Sequence, residues 1–552
     1  MALISAAAGV LLTVLVAAFS AHGGYGRSAP RTPPPDAPAP GYPALDESRL
    51  PQKGQCVVLN RVCVHQDVLV THDWAYSFAN PHRQPLPVLP EVPGWNFPAP
   101  IEANADALNG KMPGYRMYLR VASSNEPTSA LEQPVFSNRT LPFLVSCEFP
   151  FNMGEFFQHA VQGVEALQLD ASVTLVVLLP MGLALAPFHR LLLMPYSRHA
   201  VISSAELGER GCDDGSGKER PVPWSAEPSQ PHCFERLVTC VPNSGPTRLM
   251  AASAARVVAA LAERRLLPLS AAAASLRWGG GGGAQRGALS GALAEPKRGD
   301  PTEPTDLDAD PRDNTTLRVL IETRHGPVRN IKNVEELLAA CAEQNEKGFS
   351  AGPFRRLACA ATSFSGSGGR VDEEQFLANV AAVRSAHVLA VLHGAGAVNA
   401  WFMRQESSAV VEIRPCRFGS HYAAWPDKYA AEQHEHNGDA IRFLAYNIED
   451  PAQCMEGDFE AGIHNKTIDK HDVKPDHANY ARDQHVKIRP AQFVRFLRHV
   501  GSLLLDKAAY QARREEGRLH AYALDQGLLF APLGVRDVDE YRASHARDVV
   551  KV

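Results

Sequence analysis

Three groups of residues have the types and the spacing to do chemistry. The first is a turn. A short apolar run over 387–392 stops at His393-Gly394-Ala395-Gly396, a helix-like stretch follows over 397–404, and a β-rich run occupies 409–413. Two glycines at the C-terminal end of a strand let the backbone come close to a ligand. A helix opening there turns free N–H groups and its positive dipole end towards that ligand. In open α/β sheets this crevice takes ligands, phosphates above all; the alternative is a tight turn that binds nothing. The second group is Arg324 and Arg329, just after the apolar run 317–322. A guanidinium grips phosphate oxygens as a fork and stays charged; the competing partners for both are Glu335 and Glu336. The third is Glu155 and His159, four residues apart and so on one helical face, turned away from Phe157. A carboxylate–imidazole pair can be tuned to take a proton near neutral pH, or it can be a solvated polar face. His393 can donate to a phosphate oxygen or serve as a structural residue. Glu412, closing a strand of the same sheet, can accept from ribose hydroxyls or be a plain strand-end charge.

The elements that must hold these residues are legible in the periodicity. Downstream of residue 313 the chain alternates cleanly. A strand over 317–322 leads to a helix from about residue 334 with Asn333 as its cap and Glu336 at the third position. A strand over 356–361 leads to a helix with Asp372 and Gln375 in the same roles. The strand 387–392, the glycine turn and its helix, and strands 409–413 and 442–447 follow. Repeated β-α-β units of this size imply a parallel, doubly wound sheet. Upstream, residues 56–71 are rich in β-branched types and predict a hairpin or two short strands. Residues 151–169 place Phe156, Phe157, Ala160, Val161, Val164 and Leu167 on one helical face. A buried strand over 172–179 and a helix over 248–267 complete a second α/β layer. Residues 275–313 carry five consecutive glycines at 279–283 and then an acidic, proline-flanked stretch. They read as a disordered insert, because they cannot bury enough apolar surface to order themselves.

Composition narrows the class. A chain of 552 residues with net charge −5 carries no basic excess for nucleic acid or an anionic membrane surface. Ten scattered cysteines contain no CxxC pair, so a zinc site is not expected. Residues 2–20 are an uncharged apolar run long enough to span a bilayer. They read as a signal anchor or, with Ala18 and Ser20 as small residues flanking a cleavage point, as a signal peptide. Arg27 and Arg31 follow the run and no basic residue precedes it, which opposes the usual anchor orientation. A proline-rich spacer over 30–43 comes next. Such a leader permits disulfides, with Cys56–Cys63 and Cys233–Cys240 as the local pairs and Cys341 and Cys359 as disulfide partners or buried free thiols. Asn138, Asn314 and Asn465 lie in N-x-S/T sequons.

Two stretches together resemble glycosyltransferase family 61, which includes plant xylosyl- and arabinosyltransferases and animal protein O-GlcNAc transferases. HGAG, then Asn399, then a strand ending in Glu412-x-x-Pro415, looks like the family's C-terminal signature. Arg324, Arg329, Ile331, Asn333 and Glu336 look like its arginine-rich loop, R-x4-R-x-I-x-N-x-x-E. Order and spacing are kept over 324–415. The resemblance covers 141–505, weakly in its first half, and leaves out the first 50 residues, the glycine-rich insert and the C-terminal end. It implies a GT-B-like α/β architecture of two Rossmann-like domains facing a cleft. The expected layout is a signal anchor or signal peptide over 1–22, a stem over 23–50 and an acceptor-side domain over 51–245. A nucleotide-sugar domain over 246–505 and a tail over 506–552 complete it.

The implied reaction is inverting transfer of xylose, arabinose or N-acetylglucosamine from a UDP-sugar to a glycan or glycoprotein hydroxyl. Arg324, Arg329, Asn333, His393, Gly394, Ala395, Gly396, Asn399 and Glu412 would hold the nucleotide sugar, and Glu155 or His159 would take the acceptor proton. The family often reads N-x-x-H-x-F-x-D/E where this chain has Asn152-Met-Gly-Glu155-Phe-Phe-Gln-His159, with acid and histidine exchanged. That exchange keeps a non-catalytic nucleotide-sugar- or glycan-binding relative as the alternative. Asp306, Asp308 and Asp310 have the spacing of a metal-binding Asp-x-Asp but sit in the acidic linker, where a solvated charge run is the expectation. No metal or other cofactor is therefore expected. The implied place is the Golgi or endoplasmic reticulum membrane with the catalytic part lumenal, or else secretion.

Overall fold

Long apolar runs buried on both faces make most of the strands, and two large sheets result. The computed structural model describes residues 50, 55–65, 68–90, 118–121, 134, 136–137, 140–147, 150–169, 173–179, 185–208, 233–241, 249–267, 278, 314–364, 371–418, 440–457, 481–532, 535 and 537–551. The first sheet contains β1 (Cys56–His65), β2 (Val68–Thr71), β3 (Tyr118–Val121), β4 (Leu141–Val145), β5 (Val173–Val177), β6 (Ile202–Ser203) and β7 (Cys233–Cys240), in the order β3-β2-β1-β7-β4-β5-β6. β1 and β2 are the hairpin that the β-branched run predicts.

Disulfide pairing departs from the local expectation. β1 and β7 are antiparallel neighbours whose register sets Cys56 opposite Cys240 and Cys63 opposite Cys233. The bonds therefore run across the strands, Cys56–Cys240 and Cys63–Cys233, and not within Cys56–Cys63 or Cys233–Cys240. Cys341 and Cys359 are bonded to each other, as are Cys416 and Cys454. Four disulfides among the described residues point to an oxidising environment.

The second sheet is built from β8 (Thr316–Glu322), β9 (Arg356–Thr362), β10 (Val388–Leu392), β11 (Ala409–Arg414) and β12 (Arg442–Ile448). After the two-stranded pair β13 (Cys454–Met455) and β14 (His485–Val486), it gains β15 (His520–Leu524), β16 (Gly527–Ala531) and β17 (Val549–Val550). Its order is β17-β16-β15-β12-β11-β10-β8-β9. β8 through β12 and β15 run parallel, and β16 and β17 close the edge antiparallel. The stretch expected as a tail over 506–552 thus contributes three strands to this sheet. β9 lies on one side of β8 and β10 on the other. The winding direction changes between β8 and β10, the place where doubly wound sheets open a crevice at their carboxyl ends.

Apolar layers join these parts. Leu141, Phe143, Leu175 and Val177 of the first sheet share one buried cluster with Leu320, Leu389, Val391 and Val410 of the second. The helices between them contribute Phe156, Phe157, Val257, Leu261, Phe376 and Trp401. The far face of the second sheet is covered by helices Val334–Glu346 and Pro490–Leu504, through Leu337, Phe493, Phe496 and Leu497. Trp278, which the sequence places inside the insert, packs against the shared cluster with the Arg318 guanidinium over its ring. The remainder of the insert, the acidic Asp-x-Asp run, the apolar segment 2–20, Asn138 and Asn465 lie outside the described residues. Asn314 is exposed in the turn before β8. Among the described residues no helix is long and apolar enough to cross a membrane.

Candidate functional site

The site is assembled at the carboxyl ends of β8, β10 and β11. Leu392 ends β10, and His393 continues the ladder by donating its backbone N–H to Ile413 O at 3.1 Å. Gly394 then turns the chain at φ 150°, a conformation that L side chains rarely adopt. A Cβ at Gly394 would lie 2.9 Å from a terminal nitrogen of Arg324 and 2.9 Å from one of Arg329. Both guanidiniums therefore close directly on the glycine, although neither is its sequence neighbour. The stretch that follows, Ala395–Phe402, is a 3-10 helix and not an α-helix. Its first turn is closed by Ala397 N–H donating to Gly394 O, and Asn399 donates its side-chain amide to Gly396 O at 3.0 Å. Asn399 is 2 % exposed and serves the turn from inside.

The two arginines pair away from Glu335 and Glu336. Arg324 Nε lies 3.3 Å from Glu322 Oε1, and Arg329 Nε lies 3.4 Å from Asp483 Oδ1. Arg329 stands at φ 59°, in the left-handed region, a strained setting that a surrounding structure must impose. Burial first, then the neighbouring Arg324, pulls its pKa down to about 10, so it remains cationic at neutral pH. Arg482 grips Asp483 with two hydrogen bonds, at 2.8 and 3.0 Å. Arg324, Arg329 and Glu322 thus meet at the glycine turn, and Arg329 links them to the Arg482–Asp483 pair.

Glu322, Arg482 and Asp483 are functional candidates that the motifs did not flag. Glu322 offered one signal, an acidic residue closing an otherwise apolar strand. Its carboxylate packs onto Gly396, where a Cβ would come within 1.9 Å of Oε1. It is 4 % exposed, and its second oxygen, Oε2, has no hydrogen-bond partner. Burial pushes this carboxyl above its ordinary value of 4.5, against the opposing pull of Arg324 and Arg329. Arg482 and Asp483 come from a segment about 150 residues beyond Arg329, and nothing in their local pattern marks them.

The remaining candidates divide. His393 Nδ1 meets Glu412 Oε1 at 2.7 Å, and Arg414 Nε donates to Glu412 Oε2 at 2.8 Å. Both Glu412 oxygens are thus engaged inside the protein, and Glu412 orients His393. Asn333 stands at the N-cap of its helix, as expected, but its side chain makes no capping hydrogen bond to the helix backbone. Its amide donates to Ile488 O at 2.8 Å and to Glu336 at 3.0 Å, and its oxygen accepts from Ile488 N at 2.9 Å. Asn333 therefore ties the arginine loop to the segment that carries Asp483.

Glu155 and His159 meet at 3.0 Å, each about one quarter exposed. Asn152 caps this helix, its side-chain oxygen accepting from Gly154 and Glu155 N–H. The helix passes through a π-helical turn, Phe157–Val161, and such bulges are frequent at functional sites. Phe157 faces the opposite way and packs tilted against Trp401, ring centroids 4.5 Å apart. The Glu155–His159 helix is therefore packed on the same short helix that begins at the glycine turn. Among the described residues no three His, Cys, Asp or Glu side chains come together as a metal ion would need. No protein-family model matches this chain, and no curated protein matches it.

Proposed function

We propose that the chain is a glycosyltransferase related to family 61, with a GT-B-like division into an acceptor side and a nucleotide-sugar side. It would move a sugar from a UDP-sugar to a hydroxyl of a glycan or glycoprotein, by inversion and without a metal. The observation that carries this is the closure of Arg324 and Arg329 on Gly394 at the switch point between β8 and β10. Two forks aimed at a strand-end glycine suit a diphosphate, because each can donate to a pair of phosphate oxygens and offset the charge that grows on the leaving group. His393, held by Glu412, donates to the same group. Glu155 or His159 takes the acceptor proton, each within hydrogen-bond reach of the other. The oxidising environment implied by four disulfides suits a lumenal protein of the Golgi or endoplasmic reticulum, held by its N-terminal segment or secreted.

Binding and turnover test this separately. UDP should raise the melting temperature with EDTA present; at 100 times its Kd a ligand adds about 2.7 kcal/mol. Arg329→Ala should weaken that binding by about 1.5–3 kcal/mol, the worth of a charge-assisted contact. At least one of Glu155→Gln and His159→Ala should lose about 10²–10⁴ in transfer rate while keeping UDP affinity. A requirement for Mn²⁺ or Mg²⁺ would overturn the metal-free reaction. UDP binding with no transfer from any UDP-sugar would leave a binding protein.

A further inference from the structure

The carboxylate of Glu322 is out of place in an anion site. It sits against the glycine turn, ion-paired through one oxygen to the arginine that the ligand needs. Its other oxygen is buried with no hydrogen-bond donor facing it. A buried carboxylate oxygen without a partner favours the protonated form. Against this, the charges of Arg324 and Arg329 favour its ionised form. A diphosphate arriving between those two guanidiniums would cancel that support.

The other charged groups around the site do not offer the same response. Asp483 is held by two hydrogen bonds from Arg482 and by Arg329. Glu412 has both oxygens bonded, to His393 and Arg414. His393 is the one further titratable group on the turn itself. Counted formally, Arg324, Arg329 and Arg482 against Glu322 and Asp483 leave one positive charge, whereas the diphosphate of a nucleotide sugar is a dianion. Protonating Glu322 makes the two match.

Resting on the nucleotide-sugar reading above, we infer that Glu322 is a positioning residue that takes up a proton from solvent as the diphosphate binds, releasing Arg324 from its carboxylate to the phosphate oxygens. The proton goes to the Glu322 carboxylate, no covalent bond of the ligand changes, and Arg324 exchanges one anionic partner for another. Binding then strengthens as pH falls.

The measurement is calorimetric titration of the full chain with UDP-N-acetylglucosamine, which has no group titrating near neutral pH, in buffers of different ionisation enthalpy. The dependence on buffer counts the protons exchanged. Wild type should take up a substantial fraction of one proton, and its Kd should rise with pH by at most about tenfold per unit. Glu322→Gln should bind with no proton uptake and a flat pH profile, an outcome that a purely structural role for Glu322 does not produce. Binding by wild type without proton uptake would overturn the inference and leave the nucleotide reading standing. Uptake that persists in Glu322→Gln would place the proton on another group and overturn it as well. Absence of any binding by wild type would overturn the nucleotide reading and this inference with it. Should Glu322→Gln not fold, the wild-type buffer series and pH profile decide alone, since a flat profile there is already fatal.

Discussion

The same short pattern, Glu-x-Arg, closes two strands of one sheet, and the two copies behave in opposite ways. β8 runs out at Glu322-Thr323-Arg324 and β11 at Glu412-Ile413-Arg414. Both carboxylates are buried, at 4 % and 1 % exposure. Glu412 has each oxygen satisfied, one by His393 and one by Arg414. Burial pushes its pKa up, but Arg414 and His393 outweigh burial and hold it below 4.5. Glu322 has one oxygen paired and one bare, and burial wins. The lesson is that burial by itself does not decide the charge of an interior carboxylate. The number of donors that reach it does. One copy is thereby structural, and the other is left responsive to whatever binds beside it.

The largest expected effect is on stability. Glu412→Ala removes the carboxylate partner of Arg414, which is fully buried, and removing one partner of a buried pair costs about 3–5 kcal/mol. Glu322→Gln replaces a half-satisfied carboxylate with a neutral isostere and should change stability by less than about 1 kcal/mol. Urea denaturation midpoints measure both, and equal losses would break the comparison.

A smaller effect is expected at the glycine that Glu322 touches. Gly396→Ala drives a methyl into the carboxylate and should cost about 1–3 kcal/mol, as overpacking does. In a Glu322→Ala background the methyl has space, so much of that cost should vanish; a coupling of more than about 0.5 kcal/mol in the double-mutant cycle is the expected result. Additive losses would mean that the clash lies with the backbone and not with Glu322.

The smallest effect is in the acid limb of stability, where the two copies have opposite signs. Glu322 has a folded pKa above its ordinary value. Its ionisation therefore opposes folding, and stability is lost as pH rises through the folded pKa. Glu412 has a depressed folded pKa, so its contribution is present above 4.5 and is lost as pH falls through the folded value. Wild type should thus be less stable than Glu322→Gln at neutral pH and should converge with it as pH drops towards 4.5. A constant gap between the two proteins across that range would remove the charge difference on which the comparison stands.

Much of the site's frame is local information and was legible in the chain. Apolar runs mark β5, β8, β10, β11 and β12, and the glycine turn after β10 is announced by residues that must adopt it. Phe156, Phe157, Ala160, Val161, Val164 and Leu167 are buried, as their spacing implies. These features follow from the period of the strand or helix and from what a glycine allows, so a window of a few residues contains them.

What the tertiary structure alone decided is non-local. Cys56 bonds Cys240 and not Cys63, because strand order, set by packing across the whole sheet, makes β7 the neighbour of β1. Asn333 satisfies Ile488 in place of its own helix end. Arg329 finds Asp483 far along the chain, and the residues after 506 return to extend the sheet. Nor could the pattern Glu-x-Arg tell Glu322 from Glu412, since their difference is a count of donors arriving from elsewhere in the fold. Side-chain type and spacing are written along the chain, whereas desolvation and partnership exist only once distant segments have been brought together.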